Sequence, residues 1–199
     1  HCAGGSSVGP SIAAPLKDYQ RTVDTTVNVL EFARISGSTP KVVYPSSGAV
    51  YGAVEILPIS EDSPLNPVSP YGVHKKIAEE LCASYARHFG VSVIIVRLFS
   101  VYGTGLRKQL LWDACKKISK GEVAFCGTGM ETRDWLYRED AAELLFKAGE
   151  RASTACPVVN GGSGLGVTVQ EVLTEIFAQF QRSDSPIFSG SIRQGDPMH

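Results

Sequence analysis

Two side chains four residues apart, in the run Tyr71-Gly72-Val73-His74-Lys75, could together move a proton. Spacing i to i+4 puts Tyr71 and Lys75 on one face of a helix. A phenol titrates near ~10 and is a poor base at neutral pH. A neighbouring ammonium stabilises the phenolate and lowers that value, so the pair is a candidate general acid/base. On its own, Y-x-x-x-K is common in helices, and its bland reading is a half-buried Tyr beside an exposed Lys. A second group sharpens it. The run Tyr44-Pro45-Ser46-Ser47-Gly48-Ala49-Val50-Tyr51-Gly52 places Ser47 24 residues before Tyr71, at the carboxyl end of a short β-rich segment. Open α/β sheets bind ligands at that end. A hydroxyl there could hydrogen-bond the same substrate oxygen that Tyr71 deprotonates; the bland reading of Ser46-Ser47 is turn chemistry.

These residues need a scaffold, and the hydrophobic pattern supplies one. Residues 16–35 carry Val23, Val27, Leu30 and Phe32-Ala33 at near-helical spacing, with Gly37 as the stop. Residues 41–44 read as a strand. Pro70 opens a long helix with Ile77, Leu81, Tyr85 and Phe89 on one side, ended by Gly90. Residues 91–99 are almost all apolar, as a strand buried on both faces should be. Helix and strand thus alternate through short connections, which implies a parallel sheet. Beyond Tyr102 the pattern predicts helices over 109–119, 138–149 and 169–180, and strands over 123–126, 156–160 and 187–192. The fold class read from this is α/β, a doubly wound parallel sheet followed by a smaller α/β substrate region. The division falls at 1–103 and 104–199, with some later segments returning to the sheet.

Composition excludes several classes. The 199 residues are 43% hydrophobic and 20% charged, with a formal net charge of −1. That is ordinary globular usage, without a basic stripe for nucleic acid. No apolar run approaches the ~18 residues a membrane span needs. The five cysteines stand at 2, 82, 115, 126 and 156. They form no C-x-x-C, and four lie in apolar stretches, so reduced core cysteines in a cytoplasmic protein are expected. The four histidines make no ligand spacing, so no metal site is expected. The opening His1-Cys2-Ala3-Gly4 has no Met and no signal-peptide pattern, which suggests part of a longer gene.

Taken in order, H-C-A-G at 1–4, P-S-S-G-A-V-Y-G at 45–52, S-P-Y-G-V-H-K at 69–75, R-L-F-S-V-Y-G at 97–103, R-D-W-L-Y-R-E-D at 133–140 and R-Q-G-D at 193–196 resemble the extended short-chain dehydrogenase/reductases. The branch they are most similar to is the UDP-glucose 4-epimerase-like one, and the resemblance spans nearly the whole chain. It implies a Rossmann-like sheet, NAD as cofactor with NADP not excluded, a nucleotide-linked hexose as substrate, and a homodimer. It also implies roles. Ser47 and Tyr71 would bracket the sugar hydroxyl, and Lys75 would hold the nicotinamide ribose. Cys2, Ala3, Gly4 and Ser46 would run along the cofactor, with Leu98 and Phe99 packed near the nicotinamide. Ser100, Arg133 and Arg193 would grip the nucleotide sugar, a bidentate Arg fork suiting a diphosphate.

The resemblance has gaps. The 4,6-dehydratases carry an Asp-Glu pair where this chain has Gly48-Ala49, which argues against dehydration. The family's Asn within N-x-x-G-T is replaced by Thr22, and its substrate-binding Asn by Ser100. The family's glycine fingerprint, which precedes H-C-A-G, is absent, as is the acidic residue that selects the ribose; these residues alone are therefore expected to bind NAD weakly or not at all. The glycine-rich run at 161–166, GGSGLG, follows a strand and precedes a helix but lacks G-x-G-x-x-G spacing, so it is a weak phosphate cradle. The function expected is NAD-dependent epimerisation of a nucleotide-linked hexose through a 4-keto sugar. The alternatives are a 4-ketoreductase or dehydratase, or, in another class, an inactive fragment or binding protein on the same fold.

Overall fold

The strand Val93–Leu98 (β2) is the centre of the computed structural model, which describes residues 1–191 and Met198. It pairs in parallel with Val42–Ser47 (β1) on one side and with Val158–Gly161 (β6) on the other. Alternation along β1 and β2 sends side chains to opposite faces. Val42, Tyr44, Val93 and Ile95 meet Leu30, Ala78, Cys82 and Ala86 on one face. Val43, Ile94 and Val96 meet Leu144, Ala148 and Ala152 on the other. Both faces are therefore covered by helices, as a doubly wound parallel sheet requires.

The first face is covered by Thr25–Ile35 (α3) and Pro70–Phe89 (α4). Before α3 come Val8–Ala13 (α1), Pro15–Tyr19 (α2) and one π-helical turn, Gln20–Asp24. The helix expected over 16–35 is therefore continuous but widened by this one turn. α4 begins with Pro70 in its first turn, the Ser69 hydroxyl accepts from Gly72 N–H, and Gly90 ends it at φ 69°. Its buried face is built by other residues than the Ile77, Leu81, Tyr85 and Phe89 stripe. Gly72, Lys75, Ala78, Glu79, Cys82 and Ala86 are buried, whereas Leu81 and Tyr85 are half-buried and Phe89 is 56% exposed. Small side chains let the helix lie close on the sheet, and Leu81 and Tyr85 pack at the margin of that contact.

The second half builds two small sheets beside the first. Ser100–Tyr102 (β3), Thr132–Tyr137 (β5) and Gly166–Thr168 (β7) form one; Ala124–Phe125 (β4) and Ile187–Phe188 (β8) form the other. Gln109–Ser119 (α5) and Val169–Gln179 (α7) pack around Phe125 through Ala114, Ile118, Leu173 and Phe177. Arg138–Glu150 (α6) returns to cover the second face of the main sheet. The last strand is shorter than the expected 187–192, whose final residue lies outside the described residues. Cys82 and Cys156 are buried and Cys115 is half-buried, but Cys126 is exposed, so it is not the core residue expected. Among the described residues, no helix is long and apolar enough to cross a membrane.

Candidate active site

The carboxyl ends of β1 and β2 open into a cleft of about 1590 Å³. β1 ends at Ser47, whose hydroxyl accepts from Ala49 N–H and turns the chain into the short 3-10 helix Gly48–Val50. α4 starts across the cleft, with Tyr71 in its first turn and Lys75 one turn later. Ser47 hydrogen-bonds the Tyr71 side chain. Lys75 Nζ donates to Pro45 O at 2.7 Å and lies 6.0 Å from the centre of the Tyr71 ring. Three groups far apart in sequence thus face one space because a strand end and a helix start meet there.

Their electrostatics are set mainly by burial. It pushes the Tyr71 phenol above its ordinary value; the Ser47 hydrogen bond opposes this and the Asp18 carboxylate adds to it. The i to i+4 spacing predicts that Lys75 lowers that value. Here the desolvation of Tyr71 outweighs any such help. Burial also pulls the Lys75 ammonium down to about 8, with Asp18 and Glu79 acting the other way. Both groups are thereby displaced from where a solvated side chain would titrate, as acid–base groups in clefts often are.

The cleft collects most of the residues singled out from the sequence. Ser46, Ser47, Tyr71, Lys75, Leu98, Phe99, Ser100 and Arg133 all line it. Arg133 donates to Thr132 O at 2.6 Å and to Met198 O at 3.4 Å. Cys2, Ala3 and Gly4 are exposed and do not line the cleft; their neighbours Gly5 to Gly9 do. A Cβ on Gly4 would stand 3.9 Å from Lys75 Nζ, so its backbone lies beside the amine. Arg193 lies outside the described residues.

Phe99 closes one wall. A Cβ on Gly48 would meet its ring at 2.7 Å, and the Tyr51 ring lies parallel to it at 6.5 Å. The position after Ser47 therefore has no room for a side chain while Phe99 stays in place.

Beneath this wall lies a buried polar network that the sequence motifs do not announce. Arg97, 5% exposed, pairs with Glu79 at 2.7 Å and donates to Tyr51 Oη at 2.9 Å. Ser46 Oγ donates to the same Glu79. Tyr51 Oη donates to Asn160 Oδ1 at 2.7 Å, and Asn160 N–H donates to Glu61 at 2.8 Å. Two signals could have found it: Glu79 falls one turn beyond Lys75 on the Tyr71 stripe, and Arg97 interrupts an apolar run.

The glycine-rich loop 161–166 is explained by a carboxylate of its own chain. Ser163 N–H and Oγ and Gly164 N–H all donate to Asp134, at 2.6, 2.8 and 2.8 Å. Its anion-binding amides are already satisfied, so the loop is a brace for β5 rather than a phosphate cradle.

Comparison with known proteins agrees with this layout. Residues 1–160 match the model of the NAD dependent epimerase/dehydratase family. UDP-glucose 4-epimerase 2 of Oryza sativa subsp. japonica is 30% identical, covering 98% of this chain and 53% of that protein. A UDP-N-acetylglucosamine 4-epimerase structure from Methanobrevibacter ruminantium M1, in complex with UDP-N-acetylmuramic acid, superposes with a TM-score of 0.87 at 27% identity. That match covers 100% of this chain and 65% of the other. A double mutant of the dTDP-glucose 4,6-dehydratase DesIV from Streptomyces venezuelae, with NAD bound, gives 0.90 at 25% identity over 100% and 62%. The chain spans about half the length of curated relatives such as the rice protein.

Proposed function

The chain belongs to the NAD-dependent epimerase/dehydratase family, and we propose that the whole protein epimerises C4 of a UDP-linked sugar. The observation that carries this is the convergence of Ser47, Tyr71 and Lys75 on one cleft whose next position, Gly48, is closed by Phe99. The residues fit a bound nicotinamide ribose: Lys75 faces the cleft and the glycine backbone beside it permits close approach. NAD, when bound, supplies a hydride acceptor and donor; NADP would supply the same. Lys75 would hold the ribose, with Ser46, Leu98, Phe99 and the Gly4–Gly5 backbone around the cofactor.

Tyr71 takes the proton of the sugar 4-hydroxyl as the C4 carbonyl forms, and Ser47 hydrogen-bonds that oxygen. After the 4-keto sugar turns over, Tyr71 returns the proton and the opposite configuration results. Arg133 and Ser100 hold the nucleotide sugar, with Arg193 assigned the same task from sequence. Residues 1–103 carry the chemistry and 104–199 mainly the nucleotide grip. A cytoplasmic homodimer belongs to the same proposal; exposed Phe32, Ile35 and Phe89 at the outer ends of α3 and α4 support a shared helical face.

Two related reactions are distinguished by one experiment. A 4,6-dehydratase needs an acid beside the serine that hydrogen-bonds the sugar oxygen, and Gly48 leaves no room for one. The whole protein is incubated with UDP-glucose deuterated at C4 and the products are resolved by NMR. UDP-galactose that keeps deuterium at C4, with no net NADH consumed, supports epimerisation. A 4-keto-6-deoxy product, or turnover that requires stoichiometric NADH, contradicts it.

A further inference from the structure

Proton transfer by the Tyr71–Lys75 pair leaves unused a buried carboxylate that lies behind it. Asp18, in α2, has a side chain only 6% exposed. Its Oδ2 accepts from His74 Nδ1 at 2.7 Å, and His74 packs edge-on against Tyr19 with ring centres 5.5 Å apart. Asp18 Oδ1 faces the Gly5 backbone so closely that a Cβ there would collide with it. Gly5 N–H donates to Thr22 Oγ at 2.9 Å, which ties the same backbone to the π-helical turn. On the neighbouring glycine, a Cβ would stand 3.9 Å from Lys75 Nζ. A carboxylate and an ammonium therefore flank two consecutive glycines at the mouth of the cleft.

Burying a carboxylate costs several kcal/mol unless partners offset it, and an apolar residue of similar size would close this helix contact more cheaply. The negative charge thus calls for a reason beyond packing. We infer that Asp18, fixed by His74, is a positioning residue for the Tyr71–Lys75 pair. It holds the Gly4–Gly5 segment beside Lys75 and sets a fixed negative charge behind both titrating groups. The inference rests on the reading of Tyr71 and Lys75 as the proton-transfer pair.

A fixed anion favours the protonated form of every neighbour. Asp18 acts in that direction on Lys75, against burial, and on Tyr71, along with burial. Lys75 is also faced by Glu79 and Cys82 of its own helix and by Cys2 of the N-terminal segment. Around Asp18, α4 contributes His74, Tyr71 and Lys75. Its own helical segment contributes Lys17, Tyr19 and Arg21, all solvent-exposed. Removing the Asp18 charge leaves these groups in place, so the titrations of Tyr71 and Lys75 should both move to lower pH. A group that served only packing would change the height of a pH profile and not the position of its limbs.

The test uses the whole protein and Asp18→Asn, which keeps shape and removes charge. Gly5→Ala is the second variant, because its Cβ must displace the carboxylate. Competitive labelling with acetic anhydride, read by peptide mass spectrometry, follows the Lys75 amine across pH without substrate or cofactor. The wild-type midpoint is expected at about 8, and in both variants at lower pH. In parallel, the kcat/KM profile of Asp18→Asn should move both limbs to lower pH. On a limb of unit slope, activity at a fixed pH changes about tenfold for each pH unit that the limb moves, upward on the rising limb and downward on the falling one. An unmoved Lys75 midpoint in both variants overturns the inference. If the wild type turns over no nucleotide sugar, the functional reading fails, and the labelling midpoints still decide the role of Asp18.

Discussion

Replacing Lys75 by Met should stabilise the folded protein at neutral pH while removing its activity. Lys75 is 7% exposed and burial lowers its ammonium from 10.5 to about 8. One pH unit is worth about 1.36 kcal/mol, so keeping this side chain charged in the fold costs about 3 kcal/mol. Because the folded value is depressed for a cationic group, that penalty is present in full below about 8. It fades as pH rises from 8 towards 10.5, where the unfolded chain also loses its proton. The substitution forfeits the hydrogen bond to Pro45 O at 2.7 Å and the contact over the Tyr44 ring at 4.9 Å. Leaving that carbonyl unmet costs about 1–3 kcal/mol. The net gain at pH 7 is thus about 0–2 kcal/mol, but neither lost contact titrates in this range. The stability gap between variant and wild type should therefore narrow by about 2 kcal/mol from pH 7 to about 9.5. Urea unfolding of both proteins at several pH values measures this. A gap that stays flat across that range would refute the claim that burial strains the Lys75 charge.

Asp134→Asn removes the charge of an acceptor shared by three donors of the 161–166 loop and should destabilise the fold by about 1–3 kcal/mol, seen in denaturant midpoints. Arg97→Met strands the buried Glu79 carboxylate and should cost about 3–5 kcal/mol. Glu79→Leu in the same chain should recover much of that loss, because no unpaired charge is left; a double variant no better than the single one would contradict this. Gly48→Asp should cost about 1–3 kcal/mol through overpacking against Phe99. Adding Phe99→Ala should restore the unfolding midpoint by opening that wall.

The parts of the fold legible in the sequence are those with strong local signals. Pro70 and Gly90 bracket α4, and the apolar run before Phe99 marks the central strand. The parallel sheet follows from the alternation of helix and strand. The inward face of α4 is not legible from periodicity because side-chain size, not hydrophobicity alone, decides how close a helix lies to a sheet; Gly72, Ala78 and Ala86 win over Ile77 and Phe89. Ser47, Tyr71 and Lys75 can be paired from sequence because each sits at or near an element end. Glu79 and Arg97 leave a trace in the sequence but their pairing, 18 residues apart, does not, and Asp18 meets His74 across 56 residues that only the folded chain brings near. The π-helical turn at 20–24 has no compositional mark, and the glycine-rich loop resembles a phosphate site because its true anion, Asp134, lies in another strand.

The central claim is that Tyr71 is the group that exchanges a proton with the sugar 4-hydroxyl. The most direct test compares the whole wild-type protein with Tyr71→Phe, following UDP-glucose to UDP-galactose conversion by NMR together with circular dichroism and nucleotide-sugar affinity. The loss of one hydroxyl should lower kcat by several orders of magnitude and leave fold and affinity in place. Turnover by Tyr71→Phe at the wild-type rate would contradict the claim.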